Sequence, residues 1–293
     1  MKIAIFGQFY HKDSLIYIDS LLDTLNNRAI PYYIESNFYK VILKEHPEVN
    51  PDKYKTFKVL DDSFDLLISI GGDGTILRAI TFVKDLNIPI VGINSGRLGF
   101  LATIQKETIE DAIDQLIKGN YKVSQRNLLT IETSPENITL KKLNFALNEI
   151  AVSRKNTTSM ITVETHLNEE YLTSYWADGL IISTPTGSTG YSLSCGGPVI
   201  IPESNNFVLT PIAPHNLNAR PLVIPDDTEI KLKVSGREDN YLVSLDSRIA
   251  SLPNNTTIII KKADFKISMI ELESESFLKT LRKKLLWGED KRN

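Results

Sequence analysis

The 293-residue chain has a single cysteine, Cys195, so no disulfide can close within it and no cysteine-rich zinc site can be assembled. That usage suits a reducing cytosol. It also has no run of about 18 consecutive apolar residues, so no segment reads as a membrane-spanning helix. The opening apolar run, Lys2 to Phe6, is too short for the hydrophobic part of a secretory signal. Positive charge is not in excess either: the formal net charge is −3, which rules out the global basic field that gathers nucleic acid or anionic lipid. With 13 prolines and 15 glycines, the chain is also not of low complexity. What remains is a globular, cytoplasmic protein long enough for two hydrophobic cores, with neither nucleic acid nor membrane as partner.

Apolar periodicity divides the chain. Lys2 to Phe6 reads as a strand, and Leu15, Ile18, Leu22 and Leu25 follow at helical spacing. Asp65 to Ile70 is almost continuously apolar, as a parallel strand covered on both faces must be. A helix over Thr75 to Lys84 and a strand over Pro89 to Ile93 complete a βαβ unit. Ile109, Ala112, Ile113, Leu116 and Ile117 trace another helix, which ends at Gly119. From Leu128 onward helical periodicity vanishes and short strand-like runs take over: 129–133, 145–152, 160–165, 180–184, 208–212, 229–234, 241–245, 256–261 and 265–270. The tail returns to helix, with Phe277, Leu278, Leu281 and Leu285 as its apolar stripe. The expected organisation is an α/β domain over residues 1–122, an all-β, sandwich-like domain over 123–271, and a C-terminal helix over 272–293 that packs back on the first domain.

The turn Gly71-Gly72-Asp73-Gly74-Thr75 lies at the carboxyl end of a parallel strand, where open α/β sheets bind ligands. Its glycines let backbone approach a ligand closely, and amides opening the next helix can face phosphate oxygens, so Gly71, Gly72, Gly74 and Thr75 are candidate phosphate contacts. Phosphates repel a carboxylate placed beside them. Asp73 therefore points to chemistry, such as taking a proton from an attacking hydroxyl; the alternative is that it only caps its own helix. The turn is not a P-loop, because no lysine with Ser or Thr follows the glycines. The HRD and DFG triplets of protein kinases are absent too. A second dense segment, Asp178 to Pro198, offers many amides and hydroxyls to a polar ligand.

Four segments, in order, resemble the signatures of the NAD kinase family: GGDGT at 71–75, NEI at 148–150, DGLIISTPTGSTGYSLSCGGP at 178–198, and TPIAPHNLNARPLVIP at 210–225. Lipid kinases share the GGDGT turn but have no reason to carry the third segment. The resemblance implies a Rossmann-like parallel sheet in the first domain and NAD bound by the β-rich one. It also implies ATP, or in some members polyphosphate, as donor, a divalent cation such as Mg²⁺, and assembly into homodimers or homotetramers. Carried over by position, Asp73 takes the proton from the adenosine ribose 2′-hydroxyl with Gly74 against NAD beside it, Asn148 and Glu149 hold ribose hydroxyls, and Asp178 meets the nicotinamide end. Ser159, Trp176, Thr186, Thr189, Gly190, Tyr191, Ser192, Leu193 and Ser194 complete the implied NAD contacts. No protein-built metal cage is implied. Gly190 stands where the family commonly has alanine, and Trp176 where many bacterial members carry a basic residue, which leaves the choice between NAD and NADH open. His215, Arg220 and Arg248 are read as structural or solvated.

Overall fold

The computed structural model describes residues 1–8, 14–47, 50–156 and 159–288, the side chains of Ser14 and Leu15 excepted. The helical face expected to begin at Leu15 is thus described from Ile18 onward. The chain forms two compact units, Met1–Gln125 with Ile267–Asn293, and Arg126–Lys266.

The first unit is an α/β layer structure. Its strands are β1 (Ile3–Gly7), β2 (Tyr32–Glu35), β3 (Thr56–Phe57), β4 (Leu66–Ile70), β5 (Ile90–Ile93) and β6 (Tyr121–Arg126), joined by a late strand, β19 (Ile267–Leu272). They order as β3-β2-β1-β4-β5-β19-β6, with the pairs from β3 through to β19 parallel. Helices α1 (Ser14–Asn27), α2 (Ser36–Glu45), α3 (Asp73–Val83) and α4 (Ile109–Lys118) connect the strands. β1 and β4 are fully buried along their length, which their unbroken apolar runs require of a sheet covered on both faces. Their core includes Ile5, Ile68, Ile70, Leu21, Leu25 and Ile113. The strand order reverses between β1 and β4, and the carboxyl ends of strands at such a switch point open onto a crevice.

The second unit is a sandwich. One sheet runs β11-β10-β15-β18-β7-β8, built from β7 (Leu129–Ser134), β8 (Phe145–Ala146), β10 (Ile161–Leu167), β11 (Glu170–Ala177), β15 (Ile230–Gly236) and β18 (Thr257–Lys262). The other runs β14-β13-β12-β9-β16-β17, from β9 (Glu149–Arg154), β12 (Gly179–Ser183), β13 (Asn206–Ile212), β14 (Leu222–Pro225), β16 (Asn240–Leu245) and β17 (Arg248–Pro253). Both are antiparallel. Alternate residues such as Ile161 and Val163, Ile230, Leu232 and Val234, and Tyr241 and Val243 meet in one core drawn from both sheets, the period-2 signature of strands with one covered face. Two short helices, α5 (Ile138–Lys142) and α6 (Tyr191–Ser194), sit in its loops.

Three expectations need correction. The strand expected over 265–270 as part of the β-rich domain forms as β19, whose Met269 pairs with Ile90 in the first unit's sheet, and the compact units divide after 125 and 266. Its buried run Ile267–Ile270 fits a strand covered on both faces. The single strand expected over 145–152 is two, because the chain changes sheets at Leu147-Asn148, where the amides turn to Asp246 instead of to a ladder. The tail helix α7 (Phe277–Leu285) belongs to the first unit as expected, with Phe277 against Phe100 at 6.2 Å between ring centroids. Its buried face, however, is Thr280 and Leu281, while Leu278 is exposed.

Candidate active site

β4 delivers the chain to Gly71 at φ +151°, a conformation that side chains rarely tolerate, and the Gly71 N–H donates to Ile93 O at 2.9 Å. Helix α3 then starts at Asp73. No side chain caps this helix, so the capping alternative for Asp73 fails. The carboxylate instead reaches the loop that follows β5: Oδ2 accepts the Phe100 N–H at 2.8 Å, and Oδ1 accepts the Leu101 and Ala102 N–H groups at 3.0 Å each. A carboxylate offers about four lone-pair directions, so the loop fixes the group while leaving one direction at Oδ2 open. Gly99 makes this approach possible, since a Cβ there would overlap the carboxylate. Buried Asn94 braces the loop from within, its Nδ2 donating to Arg97 O and Ala102 O and its Oδ1 accepting from the Gly96 N–H. From α7, Lys284 Nζ donates to Leu98 O at 2.6 Å. Gly72 and Gly74 are exposed with open space above their Cα atoms, whereas Thr75 is buried.

In the second unit, Asn148 and Glu149 stand where β9 begins. Asp246, in the two-residue turn between β16 and β17, accepts the N–H groups of Leu147 (3.0 Å), Asn148 (2.8 Å) and Glu149 (3.2 Å). On the carbonyl side, Thr184 donates its hydroxyl to Leu147 O at 2.6 Å and its N–H to Asn148 O at 2.9 Å. The backbone is thus held from both sides. Asn148 Oδ1 and Glu149 Oε2 are left buried without a partner among the described residues, a cost that a bound hydroxyl would relieve. Gly190 lets its loop close on this pair: a Cβ there would lie 3.2 Å from Glu149 Oε2.

Burial, reinforced by the negative charge of Asp246, pushes the Glu149 carboxyl up to about 8, against the pull of the Tyr191 N–H hydrogen-bonded to it. Burial raises Asp246 as well, but three N–H donors and Arg248 draw it back. The donors around Asp246 favour its charged form, and that charge in turn favours the protonated form of Glu149. Because the folded-state value lies above the unfolded one, the folded protein holds a proton that the unfolded chain releases, and stability falls as pH rises from about 4.5 to about 8. Glu149→Gln, which keeps the shape and cannot ionise, is expected to match the parent near pH 5 and exceed it by at least about 1 kcal/mol at pH 9. Urea unfolding at the two pH values reads this directly; an increment independent of pH contradicts the assignment.

The remaining candidates fall into two groups. Thr186 to Thr189 form one 3₁₀ turn, with Thr186 buried and Thr189 half-buried, and α6 carries Tyr191, Leu193 and Ser194 outward. Ser192 is buried with its hydroxyl 2.8 Å from that of Thr210, a contact that ties α6 to β13. Where β11 passes into β12, Asp178 pairs with Arg154 at 2.9 Å, and Trp176, about half exposed, lies 4.5 Å from the His215 ring. Asn216 Oδ1 accepts the Trp176 N–H, and the His215 N–H donates to Trp176 O. His215 is thus a packing partner. Arg220 donates to Leu217 O and Ala219 O, and Arg248 to Leu143 O and Phe145 O. Ser159 precedes β10 beside residues 157–158, which lie outside the described residues.

Residues 3–121 match the ATP-NAD kinase N-terminal domain and residues 147–272 the ATP-NAD kinase C-terminal domain. The chain belongs to the NAD kinase family. The NAD kinase of Christiangramia forsetii is 62% identical over 294 aligned residues that cover both chains completely. Among solved structures, the yeast NADH kinase complexed with NADH shares the fold over 99% of this chain and 89% of its own, with a TM-score of 0.85 at 22% identity. The NAD kinase from Archaeoglobus fulgidus in complex with ATP covers 98% of this chain and 99% of its own, with a TM-score of 0.75 at 25% identity. Membership in this family makes the chain a phosphotransferase and sets aside the lipid kinases that share its glycine turn. No helix among the described residues is long and apolar enough to cross a membrane.

Sequence reasoning did not find Asn94, Gly99, Thr184 or Asp246. Asp246 lay within reach of one signal, the alternation on either side of Asp246-Ser247 that marks a two-residue hairpin turn. Its partners, 97 to 99 residues away, left no local trace.

Proposed function

We propose that this NAD kinase moves the γ-phosphoryl group of ATP onto the adenosine ribose 2′-hydroxyl of NAD, with Asp73 as the proton acceptor. The observation that carries this reading is the Asp73 carboxylate, clamped by three amides at the mouth of a glycine turn with one acceptor direction open. Phosphoryl transfer passes through a loose transition state that needs little push from the nucleophile, so positioning dominates. Asn148 and Glu149, with buried unpartnered oxygens, hold the ribose hydroxyls, and the exposed backbone of Gly72 and Gly74 faces the phosphates; the Gly71 N–H donates to Ile93 O and the Thr75 N–H to Gly72 O, so the amides of Gly71 and Thr75, expected as phosphate contacts, brace the turn instead. Asp73 collects the proton as the new P–O bond forms. Gly190, Tyr191, Leu193 and Ser194 line the dinucleotide together with Ser159, Trp176, Thr186 and Thr189, and Asp178 serves its nicotinamide end.

Among the described residues, no three His, Cys, Asp or Glu side chains are grouped to cage a metal ion. Mg²⁺ commonly keeps several waters and binds through substrate phosphates, so an ion carried on ATP would need few protein ligands and would neutralise phosphate charge there. ATP as donor is supported by the Archaeoglobus fulgidus NAD kinase complexed with ATP. A cytoplasmic location is supported by the single cysteine, and homo-oligomer assembly rests on family resemblance.

A coupled assay of NADP formation, with NAD and NADH compared as acceptors, tests the function. In the same assay, Asn148→Ala removes one ribose contact and is expected to raise KM for NAD about tenfold, the equivalent of roughly 1.4 kcal/mol, with KM for ATP unchanged. Equal effects on both substrates contradict the assigned role.

A further inference from the structure

The charge that fixes the ribose-holding segment lies outside every signature segment. Asp246 has no solvent-exposed side-chain surface and a left-handed backbone, φ +52°. It accepts three consecutive N–H groups, those of Leu147, Asn148 and Glu149, and returns its own N–H to Glu149 O at 3.0 Å. Such a run of amides makes an anion-binding concavity, here filled by the protein's own carboxylate. Burying a charge is costly unless it is matched; the amides and Arg248, 3.9 Å away, match this one. An apolar residue here would leave those three N–H groups without an acceptor. The carboxylate holds them and so fixes the backbone from which the Asn148 and Glu149 side chains project.

We propose that Asp246 is a positioning residue for the reaction, acting on NAD through the Leu147–Glu149 backbone that it clamps and through its field on Glu149. This rests on the assignment of Asn148 and Glu149 to the ribose hydroxyls. The groups facing Glu149 are Asp246, with Arg248 behind it, from the β16–β17 hairpin and Tyr191 from α6; Ser183 and Thr184, at the end of β12, do not titrate. Protonated Glu149 donates to a ribose hydroxyl, so NAD binding weakens as pH rises through about 8. The Asp246 charge sets where that limb falls. A residue that merely stabilised the fold would not move it.

The test is the pH dependence of KM for NAD, between pH 6 and 9.5, in the full-length enzyme and three variants, with folding checked by circular dichroism. Asp246→Asn is expected to raise KM for NAD about tenfold at pH 7.5, leave KM for ATP unchanged, and shift the limb about one unit lower. Arg248→Gln leaves Asp246 less compensated and is expected to shift the limb upward; it tests the field even if Asp246→Asn does not fold. Glu149→Gln is expected to abolish the limb. If Glu149→Gln abolishes it but neither other variant displaces it, or if Asp246→Asn lowers only kcat, the role of Asp246 is overturned alone. If Glu149→Gln leaves both the limb and KM for NAD as in the parent, the ribose assignment falls and takes Asp246 with it.

Discussion

Asp73→Asn is expected to lower turnover by about 10²–10⁴-fold, the usual worth of a positioned proton acceptor, while KM for NAD changes no more than a few-fold. Asparagine keeps the size of the side chain and presents an NH₂ where the carboxylate had an oxygen. One of the N–H groups of Phe100, Leu101 and Ala102 must then face another donor, which costs about 1–3 kcal/mol of stability. The variant therefore has two signatures, lower stability and lost turnover, that separate cleanly. Destabilisation of that size still leaves a protein of ordinary stability mostly folded, so it removes little active enzyme. A turnover loss no larger than the loss of folded protein, measured by steady-state assay beside thermal unfolding, would reduce Asp73 to a brace for the loop.

The second large effect is expected at a residue with no polar side chain. In Gly99→Ala the added methyl would occupy the space of the Asp73 carboxylate, and the carboxylate, held by three N–H groups, must shift to relieve it. Overpacking of this kind costs about 1–3 kcal/mol, and displacing a reacting group by about 1 Å can cost on the order of 10²-fold in rate. Gly96, three residues earlier in the same loop, has open space at its Cβ position, so Gly96→Ala should be stable to within about 0.5 kcal/mol and turn over normally. Equal kcat values for the two alanine variants would show that the loop does not act through Asp73.

How far the sequence foretold the site depends on the range of the forces involved. The glycine turn was legible because strand β4, Gly71-Gly72 and helix α3 are contiguous, and each leaves its own periodicity or backbone requirement in a few residues. The sandwich was legible from strand-like runs separated by turn residues, although β11, β14 and β17 did not stand out. The sheet that claims a strand is a different matter. β19 is apolar on both faces, but so is β12 within the sandwich, so the run alone cannot assign it, and only its pairing with β5 does. The same limit hid the partners of the site. Asp73 meets amides 27 to 29 residues onward and Asp246 meets amides about a hundred residues back, and a backbone N–H carries no side-chain signature. What the residues did reveal was that a carboxylate among phosphate-facing amides needs a reason.

The most direct measurement is a single-turnover rapid quench with NAD and Mg·ATP both prebound, in the parent and in Asp73→Asn, beside calorimetric titration of NAD. The account predicts that bond formation to the ribose oxygen slows at least about 10²-fold while the dissociation constant for NAD holds to within about threefold. A quench rate within threefold of the parent's would mean that the carboxylate takes no part in proton removal.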